Sequence, residues 1–352
     1  MNSTIISTIR VFFVLLGGAL YSSADELKWQ WELQDGGVIT SIRALCAVDE
    51  KVCWFGTGNG MIGRTTDGGK SWERFVVPGA EDLEFRDVEA FDKNRCVAMS
   101  VGEGTSSRIY LTADGGQSWK LVFQNTALEG FFDGIAFWDR ENGVLAGDPV
   151  EGRLFILRTK DGGKTWKPLD ARIAPKMESG EHAFAASGTH LSLVAGGHLW
   201  VGSGGKVARI FYSYDFGESW TTLETPMILG EASTGIFSIA FKNPNEGIVV
   251  GGDYTKEEEG DHNAMLTVDG GRTWKLLNKS NGNSVFPFRS CVRYAPDLKT
   301  VIAVGPEGGN VSSDGGKSWR EFGDQGFHTL SIGGSLNAVW AAGTDGRIAH
   351  LR

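Results

Sequence analysis

The octapeptide TTDGGKSW, residues 65–72, decides the fold because five further copies follow it along the chain. Successive copies begin 47, 47, 54, 54 and 45 residues apart, which is the length of one four-stranded propeller blade. We call each copy a box. The six boxes are TTDGGKSW (65–72), TADGGQSW (112–119), TKDGGKTW (159–166), SYDFGESW (213–220), TVDGGRTW (267–274) and SSDGGKSW (312–319).

The residue types of a box predict a self-contained β-turn without a general base or a free nucleophile. An aspartate accepts hydrogen bonds from the amides of its own turn, the following glycines accept positive φ, and a tryptophan offers a large face for packing. We therefore interpret the box aspartates and tryptophans as structural residues. They are Asp67, Asp114, Asp161, Asp215, Asp269 and Asp314, with Trp72, Trp119, Trp166, Trp220, Trp274 and Trp319.

Short strand patterns surround every box: two precede it, a third leads into its turn and a fourth follows it. In the first repeat these strands are predicted at Ile39 to Ala47, Val52 to Thr57, Met61 to Thr66 and Trp72 to Val77. Further repeats begin near Phe85, Phe131, Ala183, Gly235 and Phe288. Six boxes thus predict six four-stranded blades.

The end of the chain holds three more strand patterns but no box, at Phe327 to Ile332, Ala338 to Thr344 and Arg347 to Leu351. The alternating segment Leu27 to Leu33 supplies a fourth strand, and this closure removes the free edges of an open array. The sequence therefore predicts an all-β, seven-bladed β-propeller over residues 25–352, whose last blade is closed by an N-terminal strand.

Residues 1–24 are typical of a signal peptide. A positive end at Arg10 precedes the apolar stretch Val11 to Leu20, and Ser22 to Ala24 fits a cleavage site. The apolar stretch is about half of what a membrane span needs, although an uncleaved anchor stays open. We expect an exported protein, periplasmic or extracellular, or lumenal in a photosynthetic compartment, with no membrane insertion after cleavage.

The composition excludes two classes of partner. The net charge of −9 becomes −10 when Arg10 leaves with the signal peptide, and no basic run follows. An acidic surface of this kind does not attract nucleic acid or anionic membranes.

Fifty glycines and twelve tryptophans beside nine prolines indicate many short strands joined by tight turns.

Four cysteines, Cys46, Cys53, Cys96 and Cys291, are too few for a disulfide scaffold. Cys46 and Cys53 flank a predicted turn, so the sequence leaves open a cross-strand disulfide or four small buried hydrophobes. Their spacing does not match a metal site, and no nucleotide- or metal-binding motif is present. We therefore predict no metal and no cofactor.

The boxes and their spacing resemble the Asp-box or BNR propellers, a superfamily that includes sialidases. Size, export signal and boxes preceded by short turns, as in WFGTGNGMIGRTTDGGKSW (54–72), resemble most the photosystem II stability/assembly factor family. The similarity runs over essentially the whole mature chain. It implies a non-catalytic scaffold with a protein partner, such as subunits of a membrane complex whose assembly it assists.

A candidate site follows from propeller geometry, because the starts of inner strands and the ends of second strands open on one face. The box turns point to the other face. The sequence predicts a polar ring at this channel mouth, formed by Arg86, Asp133, Asp148, Glu181, His182, Asp253, Arg289 and His328. Three interpretations of such a ring stay open, namely a solvated funnel of paired charges, a contact surface for a protein or ligand, and a catalytic site.

The loop DYTKEEEGDH, residues 253–262, carries an acidic run. Carboxylates cluster around hard cations, but most charge runs are solvated surface. The loop lacks the ligand spacing of a calcium loop, so both interpretations stay open.

The alternative function is a sialidase-like or other glycoside hydrolase with a carbohydrate substrate. A sialidase needs three arginines on the substrate carboxylate, a Tyr-Glu pair and an acid. The candidate arginines are Arg86 and Arg289 with Arg43 or Arg293. The candidate nucleophile is Tyr254 or Tyr294, and the candidate acid is Asp133 or Asp148. An FRIP-like segment is absent and no spacing selects these residues, so we favour the binding hypothesis.

Overall fold

A computed structural model describes residues 29–278 and 285–352. These residues form a seven-bladed β-propeller of seven antiparallel sheets. Two single turns of 3-10 helix, Gly104–Ser106 and Thr344–Gly346, are the helices of this part, and neither is long enough to cross a membrane. The predicted signal peptide, residues 1–24, lies outside the described residues, as do Leu27 and Lys28.

Every blade has four strands, named in order from the innermost strand outward. Blade 1 has Ile42–Ala47, Cys53–Thr57, Met61–Thr65 and Glu73–Val76; blade 2 has Glu84–Ala90, Cys96–Val101, Arg108–Thr112 and Lys120–Gln124; blade 3 has Phe132–Phe137, Gly143–Val150, Arg153–Thr159 and Lys167–Pro168. Blade 4 has Leu191–Val194, His198–Gly202, Arg209–Ser213 and Thr221–Glu224; blade 5 has Thr234–Phe241, Gly247–Asp253, Ala264–Thr267 and Lys275–Leu276. Blade 6 has Cys291–Tyr294, Val301–Gly305, Gly308–Ser312 and Arg320–Glu321; blade 7 has Thr329–Ile332, Val339–Ala342, Arg347–Leu351 and Trp31–Asp35.

The box turns are held by their own side chains. In blade 1, the Asp67 carboxylate accepts the amide of Ser71 at 2.9 Å and its hydroxyl at 2.6 Å. The Thr65 hydroxyl donates to Asp67 at 2.9 Å and accepts the Gly69 amide at 2.9 Å. These hydrogen bonds, chiefly that from the Ser71 hydroxyl, lower the pKa of Asp67. The same pattern recurs in the other five boxes, so the box aspartates are turn residues.

Each box tryptophan packs against the preceding blade. The Trp72 ring lies 5.8 Å from Trp340 of blade 7, and the Trp119 ring lies 6.4 Å from Trp54 of blade 1. Seven apolar clusters of the described core are each shared by two adjacent blades. A blade therefore buries its apolar faces only when both neighbours are present.

The N-terminal strand closes blade 7, as predicted. Trp31–Asp35 pairs antiparallel with Arg347–Leu351, from Trp31 opposite Leu351 to Asp35 opposite Arg347. The strand ends two residues beyond the predicted limit. The Trp31 side chain is buried, with its ring 5.4 Å from Phe322 and 5.1 Å from Phe327.

The predicted start of blade 4 is wrong. Its inner strand is Leu191–Val194, whereas Glu181–His182 forms a two-residue strand paired with Gly204–Gly205. That short pair extends the sheet of blade 5. Residues 183–190 between the two strands cross the central channel, and we call this segment the plug.

The bridge between Cys46 and Cys53, which the sequence left open, is not formed. Cys46 lies opposite Trp54 in the sheet, and Cys53 lies opposite Ala47. Because neighbouring residues of a strand point to opposite faces, the two thiols are on different sides of blade 1. All four cysteines are free, and three of them are buried.

Deleting residues 27–35 should abolish cooperative unfolding. The strand Arg347–Leu351 would become an exposed edge, and the cluster between blades 6 and 7 would lose Trp31. We expect aggregation in size-exclusion chromatography and a broad transition in circular dichroism. Glu32→Ala, which removes an exposed ion pair with Arg352, is the control and should melt like the wild type. A truncated protein with an unchanged sharp transition would contradict this closure.

Candidate functional site

The plug closes the central channel. It is rich in small residues, and a Cβ on Gly188, which has a φ of 68°, would lie 2.4 Å from the Asp87 carboxyl carbon. Glycine therefore permits both the turn and the close approach. Hydrogen bonds join the plug to the six other blades, and the partner residues are Arg43, Arg86, Asp148, Ser238, Ser290 and Thr329. The mouth on the side of the inner-strand starts thus has a solid floor.

Local irregularities aim side chains at this mouth. The inner strands of blades 1, 2, 3 and 5 each shift register near their start. A β-bulge of this kind re-aims the extra residue. The bulged residues are Arg43, Arg86, Asp133 and Phe237.

A pocket of about 320 Å³ lies at the mouth above the plug. Phe184 of the plug stacks on Phe237 with ring centres 3.9 Å apart, and Phe288 meets Phe237 edge-on at 4.8 Å. Tyr254 stands at the rim, with its ring 6.4 Å from Phe184 and about half of its surface exposed. Four aromatic rings thus form one wall of the pocket.

Two arginines give the pocket its charge. Arg86 donates to Glu84 at 3.0 Å, whereas the one side-chain hydrogen bond of Arg43 within the described residues goes to the Ala186 carbonyl, at 3.2 Å. Burial, and next the charge of Arg86, lower the pKa of Arg43. An anion bound between these guanidinium groups would relieve their repulsion.

Two other side chains of the pocket, His328 and Glu257, have shifted pKa values. Burial, reinforced by Arg43, lowers the pKa of His328 to about 3, so this ring is neutral. Burial and then the charge of Glu307 raise the pKa of Glu257. The permanent positive charges of the pocket lie on the two arginines, and Glu257 is its acidic group.

Three residues of the predicted polar ring line the pocket, namely Arg86, His182 and His328. Two others, Asp148 and Asp133, belong to blade 3 and do not line the pocket. Asp148 accepts the Ala183 amide at 2.9 Å, and Asp133 is 1% exposed with one carboxyl oxygen unpaired in the described part of the chain. Burial, reinforced by Asp148, raises the pKa of Asp133 well above its usual value.

The remaining ring residues do not meet there. Glu181 is buried in an ion pair with Arg209, and Asp253 accepts hydrogen bonds from its own loop. Arg289, 2% exposed, donates to the Asn310 side chain and lines a separate cavity on blade 6. The eight residues therefore do not form one continuous ring, because Glu181, Asp253 and Arg289 are each engaged by other partners.

The sequence reasoning missed the aromatic wall. An apolar residue stands beside the polar one at several inner-strand starts, as in Phe288-Arg289 and Phe327-His328. This pairing was a usable signal for Phe237 and Phe288. Nothing in a strand pattern would have placed Phe184, because the plug is not a strand.

The constellation proposed for a sialidase is not assembled. Arg43 and Arg86 share the pocket, but Arg289 is bonded elsewhere, and Arg293 lies near the box-side end of its inner strand. Tyr294 also lies on the box side, with its hydroxyl 3.5 Å from the Gly315 carbonyl. The third arginine and this nucleophile are therefore missing from the mouth.

The acidic loop 253–262 borders the mouth through Tyr254 and Glu257. No group of three or more His, Cys, Asp or Glu side chains within residues 29–278 and 285–352 is arranged to hold a metal ion.

Fold and site together define a seven-bladed β-propeller with a plugged channel and a pocket at one mouth. Its fold is similar to the solved structure of YCF48 bound to D1 peptide, with a TM-score of 0.66 and 16% identity over 92% of this chain and 95% of that one. YCF48 from Cyanidioschyzon merolae gives a TM-score of 0.64 and 16% identity over 91% and 98%. The WD40 β-propeller domain of Doa1 gives 0.62 and 12% over 93% and 97%.

No family model matches the sequence, and no curated protein matches it significantly. At these identities the structural likeness concerns the fold.

Asp133→Asn tests the buried carboxyl. Since burial raises its pKa in the folded protein, the folded state holds the proton to higher pH than the unfolded chain does. The free energy of unfolding of the wild type should therefore fall as the pH rises above about 4. The variant lacks this loss, so its stability relative to wild type should increase from pH 4 to pH 8 in urea titrations. The exposed Asp82→Asn is the control, and a difference independent of pH would contradict the assignment.

Proposed function

We propose that this protein is a non-catalytic scaffold that binds a segment of another protein at the plugged mouth. The observation that carries the proposal is the pairing of an aromatic wall with two arginines, one of which, Arg43, forms no ion pair within the described residues. Concave, mostly apolar surfaces with a few convergent polar groups are typical binding sites. Arginine and aromatic residues also supply most of the energy at protein interfaces.

The geometry selects the kind of segment. Four rings offer a place for an apolar or aromatic side chain, and Arg43 and Arg86 offer a place for a carboxylate beside it. A volume of about 320 Å³ accommodates one or two side chains, and the plug prevents a chain from threading the channel. The partner is therefore expected to lay a short anionic and apolar stretch across the mouth.

One comparison supports a peptide ligand. A propeller of similar fold, YCF48, has been solved bound to D1 peptide. The signal-like N-terminus adds the proposal that this scaffold acts outside the cytoplasm, in the periplasm or beyond the cell, or in a lumen. Subunits of a membrane complex are the proposed partners there, in keeping with the resemblance to assembly factors.

The acids considered for hydrolysis are poorly placed for it. Asp133 is buried, and Asp148 is engaged with the plug. A general acid must reach the reacting atom. We therefore propose binding without hydrolysis, and release of dye from a fluorogenic sialoside by the wild type would contradict this.

Photo-crosslinking identifies the partner. A benzophenone side chain in place of Tyr254, at the rim of the pocket, should label a defined segment in an extract of the native envelope. Mass spectrometry then names that segment, and a synthetic peptide of the same sequence serves as the ligand in calorimetry. The same photo-probe in place of Lys164, in the box of blade 3, should not label it.

The double variant Arg43→Gln/Arg86→Gln should bind that peptide at least about tenfold more weakly, which corresponds to about 1.4 kcal/mol. Both side chains line an open pocket, so an unchanged circular dichroism spectrum is expected. Lys70→Ala/Gln117→Ala/Lys164→Ala, on the box face, is the matched control and should bind normally. Loss of binding in the control with retention in the arginine variant would move the site to the opposite face.

A further inference from the structure

The box of blade 4 departs from the other five at one position. Phe216 stands where the others have glycine, and it has a φ of 60°. The five glycines have φ values between 71° and 80°, so Phe216 adopts the conformation that the turn requires. A bulky residue at positive φ is strained.

The turn itself does not need this phenylalanine. The Phe216 amide donates to the Gly197 carbonyl at 2.9 Å, and in blade 1 the equivalent Gly68 amide donates to the Lys51 carbonyl at 3.0 Å. Glycine would make the same bond without strain. The reason for a phenylalanine at this position must therefore lie in its side chain, although Phe216 is 41% exposed.

The Phe216 ring forms one wall of a groove on the box face, between blades 3 and 4. It lies 5.1 Å from the Trp138 ring at an angle of 63°. The groove has a volume of about 310 Å³, at the low end for ligand sites. It is remote from the pocket at the mouth, because the boxes point to the opposite face.

The polar lining of the groove is balanced in charge. Arg158 and Lys160 are opposed by Asp215 and Glu218, and Asn142 adds a neutral amide. Arg158 donates to Glu218 at 2.7 Å. A lining without net charge disfavours a strongly charged ligand and suits one that both donates and accepts hydrogen bonds.

We infer that this groove binds a sugar ring of a neutral oligosaccharide. The apolar C–H face of a pyranose packs on the rings of Trp138 and Phe216, where dispersion and burial of apolar surface favour it. Its hydroxyl groups meet the amide of Asn142 and the ion pair of Arg158 with Glu218. The volume admits one or two sugar rings. The inference is independent of the scaffold function proposed for the mouth.

Phe216→Gly tests this inference, because it restores the residue of the other boxes and removes the strain. The wild type is applied to an array of neutral oligosaccharides of hexoses and N-acetylhexosamines, and the best ligand is titrated by calorimetry. We expect at least one ligand, at least tenfold weaker binding by Phe216→Gly, and an unchanged or higher melting temperature of the variant. Gln117→Ala, in the box of blade 2, is the control and should bind like the wild type.

Three results would overturn the inference. The first is that no oligosaccharide on the array is retained by the wild type. The second is equal binding by Phe216→Gly. The third is that a tryptophan-bearing peptide, and no sugar, binds in a manner that depends on Phe216, which would make the occupant a protein segment. If the first result is accompanied by a melting temperature several degrees lower in Phe216→Gly than in the wild type, the Phe216 ring serves packing alone.

Discussion

The pairing of the two ends of the chain, Trp31–Asp35 with Arg347–Leu351, is the contact on which the rest of the molecule depends. Each blade buries its apolar faces only against its two neighbours, so an open ring would expose two faces and two sheet edges. The plug has the same dependence, because its hydrogen bonds reach six other blades. The floor of the mouth therefore exists only when the ring is closed.

A closed floor changes what the mouth can do. The plug prevents a polypeptide chain from threading the axis, and Asp133 of blade 3 is withdrawn from solvent, as its 1% exposure shows. What remains accessible is a shallow pocket where Phe184 of the plug joins Phe237 and Phe288, beside Arg43 and Arg86. Such a pocket has room for one apolar side chain and a neighbouring charged group, as expected of a binding site.

Much of the fold was predictable because the boxes repeat and the N-terminal segment alternates like a strand. Blade 4 was misplaced because Glu181–His182 is extended but pairs with Gly204–Gly205. Three residues of the predicted polar ring, Arg86, His182 and His328, do line one pocket. The burial of Asp133 and Arg289 could not be predicted, since it depends on bulges and on the plug, which leave no periodic pattern. The disulfide between Cys46 and Cys53, which the sequence left open, is not formed for a simpler reason. Cys53 lies opposite Ala47, the neighbour of Cys46, and neighbouring residues of a strand point to opposite faces of the sheet.

Native-state hydrogen exchange of the plug tests the central claim most directly. The Ala183 amide donates to Asp148 at 2.9 Å, and the Ile135 amide donates to Asp87, which contacts the plug, at 2.8 Å. If the closed ring fixes the floor of the mouth, both amides should exchange only through global unfolding, with the free energy obtained from urea titration. Exchange of Ala183 through local opening, at a free energy far below the global value, would show that the plug leaves the channel and that the mouth has no fixed floor.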